Sequence, residues 1–123
     1  MISCIIIDDD KNITGVFNDI LSLIGLQVVG IGHDGSDAIE LYKKHKPDVM
    51  FVDVNMPKYD GFYAVEKTRE FDPDAKIIMV TADFTQETQQ RLEELCVTAL
   101  IYKPFDPKQI QNVLLEEYKI NLS

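Results

Sequence analysis

The sequence lacks several features that would point to a membrane, secreted or nucleic-acid-binding protein. No apolar run approaches the ~18 residues of a membrane-spanning helix, and no basic stretch opens the chain as in a signal peptide. Its two cysteines, Cys4 and Cys96, fit no C-x-x-C or zinc-ligand spacing, which favours a reduced, cytoplasmic setting. Basic residues are few: 12 Lys and Arg against 21 Asp and Glu give a net charge of −9. This balance argues against direct binding to nucleic acid and against binding to an anionic membrane.

What the chain does have is enough apolar material for a full core. Its 123 residues are 46% apolar, and no repeat, low-complexity tract or linker divides them. Because domains cluster near ~100–150 residues, residues 1–123 are predicted to form one domain. No second domain is indicated, and the native-looking Met1 and short tail favour a stand-alone protein. A piece cut from a longer protein is the alternative.

Short apolar runs alternate with longer amphipathic segments along the chain. The apolar runs predict five strands, at residues 2–7, 26–31, 49–54, 77–80 and 100–102. Helical spacing predicts helices at 13–24, 36–45, 61–71 and 85–95, and a last helix starting at Asp106-Pro107. This alternation predicts an α/β fold, a three-layer doubly wound sandwich around a five-stranded parallel sheet. The residues expected on the inner face of the first helix are Ile13, Val16, Phe17, Ile20, Leu21 and Ile24.

Polar side chains stand at the carboxyl ends of four predicted strands. They are Asp8, Asp9 and Asp10 after the first, Asp53 in the third, Thr81 at the end of the fourth and Lys103 after the fifth. Ligands of open α/β sheets bind beyond this edge, so these groups are expected to share one site. Clustered carboxylates repel one another unless a cation lies among them, and Mg²⁺ is the simplest such ion. A carboxylate beside Mg²⁺ and a lysine is suited to accept a phosphoryl group, to which Thr81 would donate a hydrogen bond.

Several of these residues also have a purely structural interpretation. Asp10 is a candidate N-cap of the first helix, in competition with Asn12. Thr81 by itself would suit any strand, and Lys103-Pro104 would suit a loop. Asp53 is harder to explain, because a carboxylate in an apolar strand is costly unless it is paired, hydrogen-bonded or at the strand's exposed end.

Four motifs together resemble the receiver domain of the two-component response-regulator superfamily, in its single-domain chemotaxis type. They are Ile5-Ile6-Ile7-Asp8-Asp9-Asp10, Phe51-Val52-Asp53-Val54-Asn55-Met56-Pro57-Lys58-Tyr59-Asp60-Gly61, Val80-Thr81-Ala82 and Lys103-Pro104-Phe105. The resemblance covers residues 2 to about 118. It implies a flavodoxin-like fold with strand order 2-1-3-4-5, which the periodicity leaves open.

The resemblance also implies a function and a magnesium site. It implies a phosphorylation-activated switch, not an enzyme with a separate substrate, in which Asp53 accepts a phosphoryl group. The donor would be the phosphohistidine of a histidine kinase or phosphotransfer protein. Mg²⁺ would be held by Asp8, Asp9, Asp53 and the backbone carbonyl of Asn55.

The remaining motif residues match positions that sense the phosphoryl group. Thr81 and Lys103 would contact it, Tyr102 matches an aromatic switch that moves inward with Thr81, and Ala82 leaves room for that movement. The Lys103-Pro104 peptide bond is expected to be cis. The face formed by the fourth helix, fifth strand and fifth helix would then bind a downstream protein target. The protein would be a monomer or a phosphorylation-dependent dimer.

Some positions depart from the family pattern or vary within it, and they lead to further expectations. Cys96-Val97 stands before the fifth strand, where the family often has Gly-Ala. Asn55 and Asp83 are a polar, acidic pair of the chemotaxis type, which predicts a short-lived phosphoryl group. The polar helix at 85–95 is interpreted as a solvated face that is also weakly held and able to shift.

Two other functions are weighed against the switch. The first is an Asp-nucleophile phosphatase of the haloacid-dehalogenase type. It is disfavoured because Asn12 stands where its D-x-D-x-T/V motif needs Thr or Val, and because the chain is short and has no cap domain. The second is a pseudo-receiver, against which the complete set of acids, Thr81 and Lys103 argues.

Overall fold

The computed structural model describes residues 1–83, 85–95, 97, 99–104 and 106–121. Within them strands and helices alternate throughout. The strands are β1 (Ser3–Ile7), β2 (Gln27–Gly32), β3 (Val49–Asp53), β4 (Ile77–Thr81) and β5 (Leu100–Tyr102). The helices are α1 (Lys11–Leu23), α2 (Gly35–His45), α3 (Gly61–Phe71), α4 (Gln86–Glu94) and α5 (Pro107–Tyr118). The predicted alternation is confirmed, and each bound that was predicted lies within two residues of its prediction.

The strands form one parallel sheet in the order β2-β1-β3-β4-β5. The flavodoxin-like strand order is therefore confirmed. The direction of winding reverses between β1 and β3, so the connections that leave these two strands diverge to opposite faces. This divergence opens a crevice at their carboxyl ends, where such sheets bind ligands.

Alternate side chains of the central strands fill two separate cores. On one face, α1 and α5 pack Phe17, Leu21, Ile110 and Leu114 against the sheet. On the other face, side chains of α2, α3 and α4 pack against Ile5, Met50, Met79 and their neighbours. Burial on both faces explains why these strands are nearly continuous apolar runs.

The face of α1 is narrower than the sequence pattern predicts. Phe17 and Leu21 are fully buried, whereas Val16 is 56% exposed, so the prediction that it faces the core is wrong. Successive helical residues are about 100° apart, which turns Val16 to the flank once Phe17 points into the core.

Each helix begins at the carboxyl edge of the sheet, where a polar side chain caps it. Asp10, not Asn12, caps α1, because its carboxylate accepts hydrogen bonds from the backbone N–H groups of Asn12 and Ile13. The caps of the later helices are Asp34, Asp60, Thr85 and Asp106. The edge that carries the predicted site is therefore also ringed by helix N-termini, whose dipoles favour negative charge.

At the opposite edge of the sheet, a tyrosine side chain joins α5 to β4 by hydrogen bonds. The hydroxyl of Tyr118, the last residue of α5, donates to the carbonyl oxygen of Ile77 at 2.6 Å. The same hydroxyl accepts a hydrogen bond from the N–H of Ile77 at 2.9 Å. The end of α5 is thereby joined to the start of β4. None of the helices in the described part of the chain is long and apolar enough to cross a membrane.

Candidate functional site

The carboxyl ends of β1 and β3 bring three carboxylates together. Oxygens of Asp8, Asp9 and Asp53 all lie within 4.8 Å of one another. Asp8 and Asp53 are only 4% and 6% exposed, whereas Asp9 is open to solvent. A group of carboxylate oxygens at this spacing, with one side facing water, fits a hard divalent cation such as Mg²⁺.

Lys103, directly after β5, lies over the two buried carboxylates. Its Nζ is 3.1 Å from Asp8 Oδ2 and 3.3 Å from Asp53 Oδ1. The Lys103-Pro104 peptide bond is cis, as expected. All three side chains are at most 16% exposed, so these ion pairs are less screened by water than surface pairs.

The charges of the cluster are not balanced by one lysine. Burial raises the pKa of Asp53 from 3.8 to about 6, and repulsion from Asp8 adds to this, while Lys103 opposes it. Burial lowers the pKa of Lys103, but attraction from Asp53 and Asp8 outweighs it and leaves the pKa raised. The site therefore carries surplus negative charge that a divalent cation would compensate.

An open cavity of about 430 Å³ lies above the cluster. It is lined by Asp8, Asp9, Asp10, Ile13, Asp53, Asn55, Ala82, Asp83 and Lys103. Carboxylates, an amide and one ammonium group thus surround a space open to solvent. This space admits a small anion together with a hydrated cation.

Thr81 lies at the edge of this group of residues, and its side chain points toward the backbone of Asp83. It is fully buried, and its Oγ1 accepts a hydrogen bond from the backbone N–H of Asp83 at 2.8 Å. A hydroxyl that accepts one hydrogen bond still has an O–H to donate. The half-buried Tyr102 is its register partner on β5, so the predicted switch residues are neighbours in the sheet.

Asp83 joins the cavity to the start of α4. Its carboxylate accepts from the N–H of Thr85, from the hydroxyl of Thr88 and from the side-chain amide of Asn55. These hydrogen bonds, the backbone one first, lower its pKa to about 2. The sequence analysis grouped Asn55 and Asp83 as a pair by their motif positions, but their hydrogen bond depends on how two loops meet and left no pattern in the sequence.

A histidine contact also escaped the sequence analysis. His33 is exposed, and its Nδ1 lies 3.1 Å from the backbone carbonyl oxygen of Asp8, which it must reach as an N–H donor. Phe105 of the fourth motif and Cys96, named as a departure from the family pattern, lie outside the described residues.

The fold and this site define a class of protein, and comparison with known proteins identifies the same class. Residues 4–115 match the response regulator receiver domain family, to which the chain therefore belongs. The chain is a CheY-like receiver domain of two-component signalling.

Particular relatives show how far the likeness extends. The chemotaxis protein CheY of Thermotoga maritima is 32% identical over 110 residues, which cover 89% of this chain and 92% of that protein. The probable transcriptional regulator ycf27 of Guillardia theta is 36% identical over 109 residues, covering 87% of this chain and 41% of that protein. The solved structure of Vibrio cholerae CheY4 superposes with a TM-score of 0.83 at 28% identity, covering 93% and 96% of the two chains.

Proposed function

We propose that this receiver domain is a phosphorylation-activated switch in which Asp53 accepts a phosphoryl group from a phosphohistidine. The observation that carries the proposal is the surroundings of the Asp53 carboxylate. It lies at the floor of an open cavity, 3.3 Å from the ammonium of Lys103 and within 4.8 Å of Asp8 and Asp9 oxygens. These are the groups that an acyl phosphate needs around it.

The transfer exchanges one bond to phosphorus for another. An oxygen of ionised Asp53 attacks phosphorus and a P–O bond forms, while the P–N bond to the donor imidazole breaks. The imidazole nitrogen keeps that electron pair and takes a proton from solvent. Lys103 then pairs with a phosphoryl oxygen and Thr81 donates its O–H to another. Hydrolysis reverses the state, because attack by water breaks the P–O bond and releases the Asp53 carboxylate and inorganic phosphate.

The bound cation belongs to the same proposal. Asp8, Asp9, Asp53 and the backbone carbonyl of Asn55 would hold Mg²⁺, which offsets charge on the phosphoryl oxygens when bound. The oxygen donors and surplus negative charge of this cluster fit such an ion.

The output is proposed to run through α4, β5 and α5 to a downstream protein target. Thr81 and Tyr102 pair across β4 and β5, next to the start of α4. A histidine kinase or phosphotransfer protein would be the phosphoryl donor, in the cytoplasm, and the protein would be a monomer or a phosphorylation-dependent dimer. The chain would act as one domain over residues 1–123. A stand-alone protein and a receiver of a longer regulator both have precedents, in Thermotoga CheY and in ycf27.

The test is intact mass after incubation with Mg²⁺ and acetyl phosphate, for wild type and Asp53→Asn. A gain of one phosphoryl group by wild type alone supports the proposal. If neither protein gains mass and wild type fails to bind beryllofluoride with Mg²⁺, the pseudo-receiver interpretation takes its place. Continued turnover of a phosphate ester by Asp53→Asn would favour a phosphatase, whose nucleophile would be another Asp.

The lifetime of the phosphoryl group tests the chemotaxis-type interpretation. Asn55 and Asp83 are hydrogen-bonded at 3.1 Å beside the cavity, where they contact its solvent. We expect the phosphoryl group to be lost within minutes after acetyl phosphate is removed. Phosphoprotein that persisted for hours would contradict this expectation.

A further inference from the structure

We propose that Gly35, the first residue of α2, is a positioning residue for the Asn55 side of the magnesium site. The proposal rests on the proposed function, since Asn55 is there a ligand through its backbone carbonyl. Gly35 touches neither the carboxylates nor the cavity, so its effect would pass through the loop that carries Asn55.

The loop between β3 and α3, residues 54–60, is short and tightly folded. Its ends are joined by a hydrogen bond from Gly61 N–H to the Val54 carbonyl at 2.9 Å. Lys58 lies in the left-handed region at φ 66°, a conformation that is uncommon for residues other than glycine. The loop is closed by its own hydrogen bond, so we expect a displacement of Tyr59 to carry along the loop to Asn55.

Gly35 is in close contact with the backbone of this loop. Its N–H donates to the carbonyl oxygen of Tyr59 at 2.6 Å. A Cβ on Gly35 would lie 2.7 Å from the Asp60 carbonyl oxygen and 2.8 Å from that of Tyr59. No side-chain rotation relieves contacts with backbone atoms, so a methyl group here must displace the loop or α2.

The same turn also contacts the other side of the site. The N–H of Asp8 donates to the Gly32 carbonyl at 3.1 Å, and His33 donates to the Asp8 carbonyl at 3.1 Å. Residues 32–35 thus form hydrogen bonds both with Asp8 and with the loop that carries Asn55. Mg²⁺ requires near-ideal octahedral geometry, so a small displacement of one ligand lowers its affinity.

The chain offers a matched control at Gly30, in β2. A Cβ there would meet only the side-chain ends of Leu41 and His45, at 3.3 Å and beyond, which can turn aside. Gly30→Ala therefore makes the same chemical change in the same strand-turn-helix unit without touching the loop.

The experiment titrates Mg²⁺ into metal-free wild type, Gly35→Ala and Gly30→Ala, followed by calorimetry and by amide NMR shifts. We expect Gly35→Ala to bind Mg²⁺ about tenfold or more weakly, as typical for residues that orient metal ligands. The Mg²⁺ needed for half-maximal labelling by acetyl phosphate should rise by the same factor. The labelling rate at saturating Mg²⁺ should change much less. Gly30→Ala should stay within about twofold of wild type, well below the effect expected of a ligand-orienting residue. Equal Mg²⁺ affinity in the two variants would overturn the proposal.

A measurement on wild type keeps the proposal open to test if Gly35→Ala fails to fold. By thermodynamic reciprocity, Mg²⁺ should strengthen the Gly35–Tyr59 hydrogen bond that supports its own site. Hydrogen exchange of the Gly35 amide should therefore slow on Mg²⁺ addition, relative to the Gly30 amide. An unchanged Gly35 rate would overturn the proposal. Wild type that binds no Mg²⁺ would instead overturn the proposed function itself, and this inference with it.

Discussion

Two helices start beside the candidate site, and they are held in very different ways. α1, of 13 residues, buries Phe17 and Leu21 completely, together with Thr14. α4, of nine residues, buries Thr88 and Leu92, and most of its other side chains are Gln or Glu. The side of the site formed by β1 and α1 is therefore fixed by apolar packing. The side toward α4 has far less of it, and weakly packed segments are the ones that move at low cost.

Polar and aromatic contacts help to hold α4, where apolar packing is sparse. The guanidinium carbon of Arg91 lies 4.0 Å from the ring centroid of Phe62, and its Nη1 is 3.6 Å from Asp60 Oδ2. Asp83 adds hydrogen bonds to Thr85 and Thr88 at the N-terminus of α4. Such contacts are directional, so a small shift of α4 breaks them, whereas the close apolar packing under α1 resists displacement. α4 is thus suited to have two positions.

Truncating one leucine in each helix gives the largest contrast. Leu21 is fully buried in α1, and Leu92 is 3% exposed in α4. We expect Leu21→Ala to lower the free energy of unfolding by about 4 kcal/mol and Leu92→Ala by about 2 kcal/mol, because the cavity left under a loosely packed helix collapses more easily. Urea unfolding followed by circular dichroism measures both. Equal losses would show that α4 is packed as firmly as α1.

The second test asks whether the buried charge of Asp53, at the end of β3, lowers the stability of the fold. The pKa of Asp53 is raised to about 6, so the native state binds a proton more tightly than the unfolded chain. This contribution to stability is complete below pH ~4 and is lost as pH rises through ~6, by up to about 3 kcal/mol. In metal-free protein, Asp53→Asn should therefore unfold at nearly the wild-type temperature at pH 4 and at a clearly higher one at pH 8.

Magnesium and a second variant control this result. Mg²⁺ should raise the Tm of wild type at pH 8 and reduce its difference from Asp53→Asn, since the cation compensates the same charge. Asp19→Asn, on the exposed surface of α1, removes a carboxylate outside the cluster and should raise Tm at pH 8 much less than Asp53→Asn does. A pH-independent shift in Asp53→Asn would mean that its charge is already balanced.

The smallest expected effect compares two cation–aromatic contacts. Arg91 joins α4 to Phe62 of α3, whereas Lys67, 5.7 Å from the Tyr63 ring centroid, lies within α3 itself. We expect Arg91→Ala to cost about 1 kcal/mol, seen as faster hydrogen exchange of α4 amides. Lys67→Ala should cost no more than about 0.5 kcal/mol and leave α4 exchange unchanged. Equal hydrogen exchange of the α4 amides in the two variants would show that Arg91 does not help to hold α4.

Local pattern predicted most of the fold and the chemical groups of the site. The sequence predicted that Asp8, Asp53 and Lys103 lie together, because parallel strands share a carboxyl edge. In the structure, Lys103 Nζ lies within 3.3 Å of an oxygen of each carboxylate. Contacts between loops could not be predicted. The Gly35–Tyr59 and Asn55–Asp83 contacts depend on the relative position of segments far apart in sequence. Val16 shows a milder form of the problem, since periodicity locates a helical face but not its width.

The hydroxyl of Tyr118 has a practical consequence for trimming the protein. The family match ends at residue 115, whereas the group that satisfies both backbone atoms of Ile77 lies three residues later. A chain shortened to the matched segment would leave the first residue of β4 with an unpartnered N–H and carbonyl beneath α5. Fusion junctions and minimal fragments should therefore begin their linker only after Tyr118, so that the first residue of β4 keeps both of its hydrogen bonds.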